Sequence, residues 1–497
     1  MRRYILVIVT LFTFSACNLE TSPESDLTYS GFWEKEEAAK SVFDGIYSKF
    51  RSYGNTMWLM GELRSDMWGG KGIENAHNQD LFTNDINPTK DLYYKDWANW
   101  YAMLHYINDF IKNVPKTPFS NIKERDNMLA QVYGLRAYIY YVMVKSWGDV
   151  PIVLQPLQNI DNLIALKTPR APKEKVMEQI KSDIKKSLDL FEGNEGFYKS
   201  RVYWSKMATL TLKGDVYLWS GKVLSGGNED YTEAKNALSQ VSGYSLVSYD
   251  NLWGVDNDNN QEFIFALDYK KDEATHYYGS TTARNSDVKD KYDDQGRKIS
   301  TFLYVEGGNY NSPSNKTLLL LDDVKDLRRA SFIRIYEDDA TYIPFVVDNP
   351  KYLGSVLSKF VGRNESGAII NENNVPIYRY ADVLLLLAEA KNHLGEDPSD
   401  EINQVRQRAY GNNYSVGTHG YMNASQAVNA KAILDERYKE FVGEGKRWWD
   451  LLRAGDNFVY DEVASMLGSG GVKKPIYLPI TAAMIADDDT LEQTPGY

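Results

Sequence analysis

A mainly α fold, an atypical tetratricopeptide-like scaffold of helical pairs with a loop-rich subdomain containing short strands, is predicted by three features of the chain. Apolar residues recur at helical spacing through 31–242 and again through 376–497. Small residues such as Ala208, Gly214 and Ala234 stand among larger apolar ones near the tetratricopeptide spacing, where they let neighbouring helices approach. Between 243 and 375 the texture changes to Gly, Asn, Asp and Tyr with turn signals and strand-like pieces.

Residues 1–16 read as a lipoprotein signal peptide. Arg2 and Arg3 precede an apolar run from Tyr4 to Phe14, and the small Ser15 and Ala16 lead into Cys17. The run is far short of the roughly 20 residues a bilayer-spanning helix needs. Cys17 is the only cysteine in the chain, and an unpaired thiol in an exported protein calls for modification. FSAC looks like a bacterial lipobox with Phe14 where Leu is more usual, which makes Cys17 the lipid-attachment site and the mature N-terminus. Each buried CH2 contributes about 0.8 kcal/mol, so a diacyl or triacyl Cys17 holds the protein to a membrane. Residues 17–30 form the polar, lipidated tether.

The N-terminal helical part, 31–242, is predicted as hairpins in series. In EKEEAAKSVFDGIYSKFR (34–51), Ala38, Val42, Ile46 and Phe50 are spaced by four and make one apolar stripe. Two longer amphipathic segments follow at 97–114 and 124–147, with Pro115 and Pro118 between them, then helices at 173–192, 203–224 and 231–241. No strict 34-residue period persists, so the array is irregular. The subdomain 243–375 contains strand-like EFIFALDY and RASFIRIY. Helices resume with YRYADVLLLLAEAKNHLG from 378, whose four leucines imply burial on several sides, and continue at 398–410, 424–441 and 445–453. The C-terminal part, 376–497, packs its helices and tail on the scaffold.

Composition excludes several functions. A length of 497 residues exceeds one compact core, while 43% hydrophobic and 25% charged residues are ordinary globular values. A net charge of -12 and a pI near 5.1 make nucleic-acid binding unfavourable. The 36 tyrosines against 18 phenylalanines favour rings with a polar tip, suited to half-wet surfaces.

Four separated segments carry a family resemblance: RAYIYYVMVKSWGDVPIV (136–153), PIYRYADVLLLLAEA (376–390), ILDERYKEFVGEGKRWWDLLR (433–453), and the closing KKPIYLPITAAMI with QTPGY. With the lipobox they make the chain resemble the SusD-like, or RagB/SusD, family of outer-membrane nutrient-binding lipoproteins. The resemblance implies a tetratricopeptide-like scaffold at the cell surface, lipid-anchored to the outer membrane and facing the exterior. It implies a SusC-like TonB-dependent transporter as partner, oligosaccharides or in one branch peptides as ligand, and no catalytic activity. EGKRWWDLLR is then scaffold: Glu436, Arg437 and Glu440 on one helix are expected to cross-pair with Arg447 and Asp450 on the next, with Trp448 and Trp449 supplying buried area.

A sugar receptor needs flat rings flanked by groups that hydrogen-bond hydroxyls. The first candidate is ELRSDMWGGKG (62–72), where Trp68 precedes Gly69 and Gly70, with Arg64 and Asp66 as polar partners. Tyr93 and Tyr94 lie just ahead of the helix starting near Asp96. Trp253, Tyr277 and Tyr278 have the same aromatic-in-loop character in the subdomain, with Tyr304 and Arg363 as further candidates. Chemistry offers no positive motif. The five histidines are scattered without HExxH or a second Cys, so no metal site is assigned. DNDNNQE (256–262) starts like a calcium loop but lacks its glycine and distal glutamate. No GxSxG or phosphate loop occurs, and no cofactor is implied. Peptide capture within the family, or a protein-interaction module without a small ligand, are the alternatives.

Overall fold

The computed structural model describes residues 29–497 apart from 74–78, 90–92, 158–165, 195, 197 and 309. The signal peptide, Cys17 and most of the tether lie outside the described residues. The fold is mainly α. Among the described residues the helices of eight or more residues are α1 (Glu36–Arg51), α2 (Ala98–Asn113), α3 (Ile122–Trp147), α4 (Lys173–Leu190), α5 (Lys206–Val223), α6 (Gly227–Leu238), α7 (Tyr380–His393), α8 (Ser399–Tyr410), α9 (Gln426–Phe441) and α10 (Arg447–Ala454).

Helix starts follow local chemistry. The Asn121 side chain accepts from Lys123 N at 3.1 Å and the Ser205 hydroxyl from Ala208 N at 3.1 Å, satisfying orphan donors at the starts of α3 and α5. In α1 the buried stripe is Ala39, Phe43, Ile46 and Phe50. Ala38 and Val42 are only half-buried, because a strict spacing of four drifts around a helix of 3.6 residues per turn. The long α3 is buried around most of its circumference from Asn127 onward. It packs on α2 and α4, and α5 packs on α6. A buried bidentate pair, Arg136 to Asp183 at 2.8 and 2.6 Å, pins α3 to α4.

The strands form three antiparallel two-stranded ribbons: β1 (Phe263–Leu267) with β6 (Val375–Arg379), β2 (Phe332–Tyr336) with β3 (Tyr352–Leu357), and β4 (Arg363–Glu365) with β5 (Ala368–Ile370). EFIFALDY and RASFIRIY supply β1 and β2. Pairing Phe263 with Arg379 and Leu267 with Val375 brings the two ends of the loop-rich stretch together. That ribbon leads straight into α7.

The α9–α10 corner is the structural centre of the C-terminal part. Trp448 and Trp449 are buried, as expected, and Arg437 reaches Asp450 at 2.9 Å. The remaining cross-pairing differs from expectation. Glu436 meets Arg328 and Arg406, each at 2.7 Å, while Arg447 turns to Asp66 at 2.9 and 3.0 Å. Arg379, fully buried at the end of β6, bonds Glu262 and Glu440 at 2.6 Å and Glu444 at 2.9 Å. Guanidinium groups from distant segments outcompete the neighbouring helix because each brings several donors in a fixed fork.

Glu62 closes the same corner from the N-terminal side. Its carboxylate accepts from the backbone N–H of Gly443 at 2.8 Å, from that of Gly445, and from the Trp68 indole at 3.0 Å. The backbones approach so closely that a Cβ on Gly61 would lie 1.9 Å from the Gly445 carbonyl oxygen. Only glycine fits.

Candidate functional site

The described surface carries a groove that combines ring faces with polar groups of both signs, between α1, β1 and the segment before α5. Its volume is about 280 Å³, at the lower end of small-molecule sites. Asp44, Tyr47, Ser48 and Arg51 supply one wall. Their i, i+3, i+4, i+7 spacing places them on one face of α1, beside the buried stripe. Tyr203 stands opposite, Phe265 lies at the base, and Asp268, Lys270 and Glu273 form the far rim.

The rings are held in place. Tyr203 lies parallel to Phe43 with centroids 6.0 Å apart and contacts Tyr47 at 4.8 Å. The Tyr47 hydroxyl donates to Gln131 and accepts from Trp204 N at 2.9 Å, which fixes its ring. Tyr203 donates to Asp44 at 3.1 Å, and Lys199 sits 5.1 Å from the Tyr198 and Tyr203 ring centres. On the far rim, Arg51 pairs with Glu273 at 2.6 Å and Lys270 with Asp268 at 2.9 Å. Burial raises the pKa of both Tyr47 and Tyr203 above the ordinary value, so both stay neutral donors. The hydrogen bond that Lys270 donates to Asp268 raises its pKa and keeps it cationic. The half-buried Tyr203 ring and solvent-facing ion pairs can stack on an apolar face and exchange hydrogen bonds with hydroxyls.

None of the residues singled out from sequence lines this groove. Trp68 is corrected first: it is 6% exposed, its N–H is spent on Glu62, and its ring meets Trp58 and Phe332 edge-on at 5.6 and 5.8 Å. Gly69 and Gly70 signal close approach instead of an open loop, since a Cβ on Gly70 would fall 2.0 Å from the Pro313 carbonyl oxygen. Arg64 is buried too. It donates to Asn84 at 2.8 Å and to the Pro475 carbonyl at 3.0 Å, tying the C-terminal tail to the scaffold. Asp66 is committed to Arg447 and Lys316.

Tyr94 is 1% exposed and donates to Asp80, while Tyr93 belongs to a short turn and its side chain lies outside the described residues. Tyr278 is buried, stacked on Phe360 at 4.2 Å and bonded to the Gly443 carbonyl. Tyr277 packs on Trp58 at 6.0 Å. Trp253 is half-buried against Phe360 and beneath Lys359, 4.9 Å from its ring centre. Among the described candidates only Arg363 is fully exposed, on β4, where it pairs with Glu372 at 2.7 Å; Tyr304, like Trp253 and Tyr277, is half-buried. The loop aromatics mostly plug the junction between the subdomain and the α9–α10 corner.

Comparison with known proteins agrees with this architecture. A family model described as "SusD family" matches residues 265–497, and one described as "Starch-binding associating with outer membrane" matches 18–218. NanU of B. fragilis superposes with a TM-score of 0.85 at 31% identity, covering 96% of this chain and 99% of that one. A SusD superfamily protein of Bacteroides vulgatus superposes with a TM-score of 0.82 at 30% identity, over 94% and 100%. The starch-binding protein SusD of Bacteroides thetaiotaomicron is 23% identical over 423 residues, 74% of this chain and 72% of that protein. A SusD-like protein of Formosa agariphila is 24% identical over 524 residues, spanning 99% and 98%. With matches of this extent at both ends, and a solved relative of 31% identity superposing over 96% of the chain, the chain belongs to the SusD family.

Proposed function

We propose that the protein is a cell-surface lipoprotein that binds an oligosaccharide in the groove between α1 and β1 and delivers it to a SusC-like TonB-dependent transporter, without cutting it. The observation that carries this reading is the Tyr203 and Tyr47 ring pair bordered by Asp44, Arg51 and Glu273. Sugar C–H faces stack on rings, and ring hydroxyls bridge to carboxylates and guanidinium groups. A relative named as starch-binding, and a family described as starch-binding and associating with the outer membrane, support the ligand class and the location. Attachment through a lipid on Cys17 would leave the folded body outside the cell with the transporter beneath it.

Calorimetry against a panel of oligosaccharides, with chromatography of the mixture afterwards, tests this. The expected result is saturable heat with at least one glycan, recovered at its original length. Shortened product would contradict the non-catalytic part. Heat with extended peptides alone would move the ligand class to peptides, and silence toward both would leave a protein-interaction module.

A further inference from the structure

Sharing no lining residue with the groove, a small cavity where α3, α5, β6 and α10 meet gathers hydrogen-bond donors that the protein does not use. It is about 50 Å³, room for a few water-sized groups but not for a sugar ring. Three of its lining side chains have unspent donors. The indole N–H groups of Trp58 and Trp449, and Nε and Nη1 of Arg437, are buried and meet no acceptor. The Lys145 ammonium lies 3.9 Å from the Trp449 ring centre and 4.0 Å from that of Tyr141, and among the described residues no carboxylate pairs with it.

The imbalance has a sign. Asp215 accepts from Tyr141 and Tyr378 at 2.9 Å and pairs with Arg453 at 3.1 Å, and Asp450 pairs with Arg437 at 2.9 Å and Arg453 at 3.0 Å. Asp382 and Glu444, which also line it, pair with Lys446 and with Arg379 and Lys359 respectively. All four acids lining this space are thus engaged while several donors are idle, and each idle buried donor costs about 1–3 kcal/mol. A water accepting from two of them must still place two protons of its own. An anion needs only donors. Burial pushes Lys145 down to about 7, and a neighbouring negative charge offsets that shift.

We propose that this cavity is a binding site for one small monovalent anion of halide size, held by the indoles of Trp58 and Trp449, the Arg437 guanidinium and the Lys145 ammonium. The bound ion would bridge α3 to the α9–α10 corner and so stiffen the centre of the scaffold.

Crystals grown in sodium bromide test it by anomalous scattering at the bromine edge. The expected result is a bromide peak inside the cavity, and a thermal midpoint higher in sodium bromide than in sodium gluconate at equal ionic strength. Trp449→Phe keeps the ring and deletes one donor, and should weaken the bromide dependence. Lys145→Met removes the charge and should raise the apparent bromide dissociation constant by about tenfold or more, the loss of one charged hydrogen bond. Water density alone in the cavity, peaks only at surface positions, or midpoints indifferent to the anion in wild type would overturn the proposal. So would a bromide dependence that survives intact in both variants.

Discussion

Arg379→Met is expected to destabilise the fold by at least about 3–5 kcal/mol, the cost of leaving a buried charge without its partner. The effect should be at the top of that range because three carboxylates lose one shared counter-ion. Glu262, Glu440 and Glu444 each lie within 2.6 to 2.9 Å of the guanidinium, and all four side chains are fully buried. Arg408 and Lys359 also reach this cluster but cannot replace it: Arg408 bonds Glu262 at 3.1 Å and Lys359 bonds Glu444 at 2.8 Å, each from its own side. Since Arg379 ends β6 just before α7, its loss should also loosen the junction between ribbon and helix. Urea unfolding followed by tryptophan fluorescence checks this. A midpoint equal to wild type would mean that the network contributes nothing. Arg379→Lys, which keeps the charge but loses the fork, should fall between the two.

The same network predicts a steep acid limb. Burial pushes Glu444 up, but Arg379 and Lys359 outweigh it and hold its carboxyl at about 2, below the ordinary 4.5. Glu440 is depressed in the same direction by Arg408, Arg379 and Arg328 against its own burial. A group whose folded pKa lies below its unfolded value contributes stability in full above the unfolded pKa, and loses it as pH falls through the folded one. For Glu444 the window runs from about pH 4.5 to 2, and the shift corresponds to roughly 3 kcal/mol. Glu62 has the opposite sign. Burial raises it to about 7, so its contribution declines as pH rises from about 4.5 to 7 and then levels off. Unfolding free energy measured across this range should therefore drop most sharply below pH 4.5. Glu444→Gln should be less stable at neutral pH and flatter between 4.5 and 2; an unchanged slope would contradict the assignment.

The contrast between these residues and the groove explains what the chain discloses on its own. Helices such as α3 and α7 are legible because apolar repetition at 3.6 residues is a local property, and boundaries fell within a few residues of Ile122–Trp147 and Tyr380–His393. The strands at Phe263–Leu267 and Phe332–Tyr336 were visible for the same reason, as short β-branched and aromatic runs between turns. Ring exposure is not local. Trp68 and Tyr278 sit next to glycine, yet each is packed against a segment far away in sequence. The groove is hard to read from the chain for the complementary reason: Asp44, Tyr47, Ser48 and Arg51 lie on a helix and carry no turn signal. Their i, i+3, i+4, i+7 spacing beside the apolar stripe was the available signal. It marks an aromatic and charged face on a helix whose other side is core.

Binding through this groove can be measured directly. With any oligosaccharide that binds the wild-type protein, Tyr203→Ala should weaken affinity by at least roughly threefold, the value of one lost ring contact, in a protein that stays folded at the titration temperature although its thermal midpoint falls with the lost packing on Phe43 and Tyr47. Arg363→Ala, on the exposed β4–β5 ribbon, should bind as wild type. Calorimetric titration of the three proteins with one glycan decides the matter: weakening at Tyr203 alone places the sugar between α1 and β1, whereas full affinity in Tyr203→Ala with loss in Arg363→Ala would contradict it.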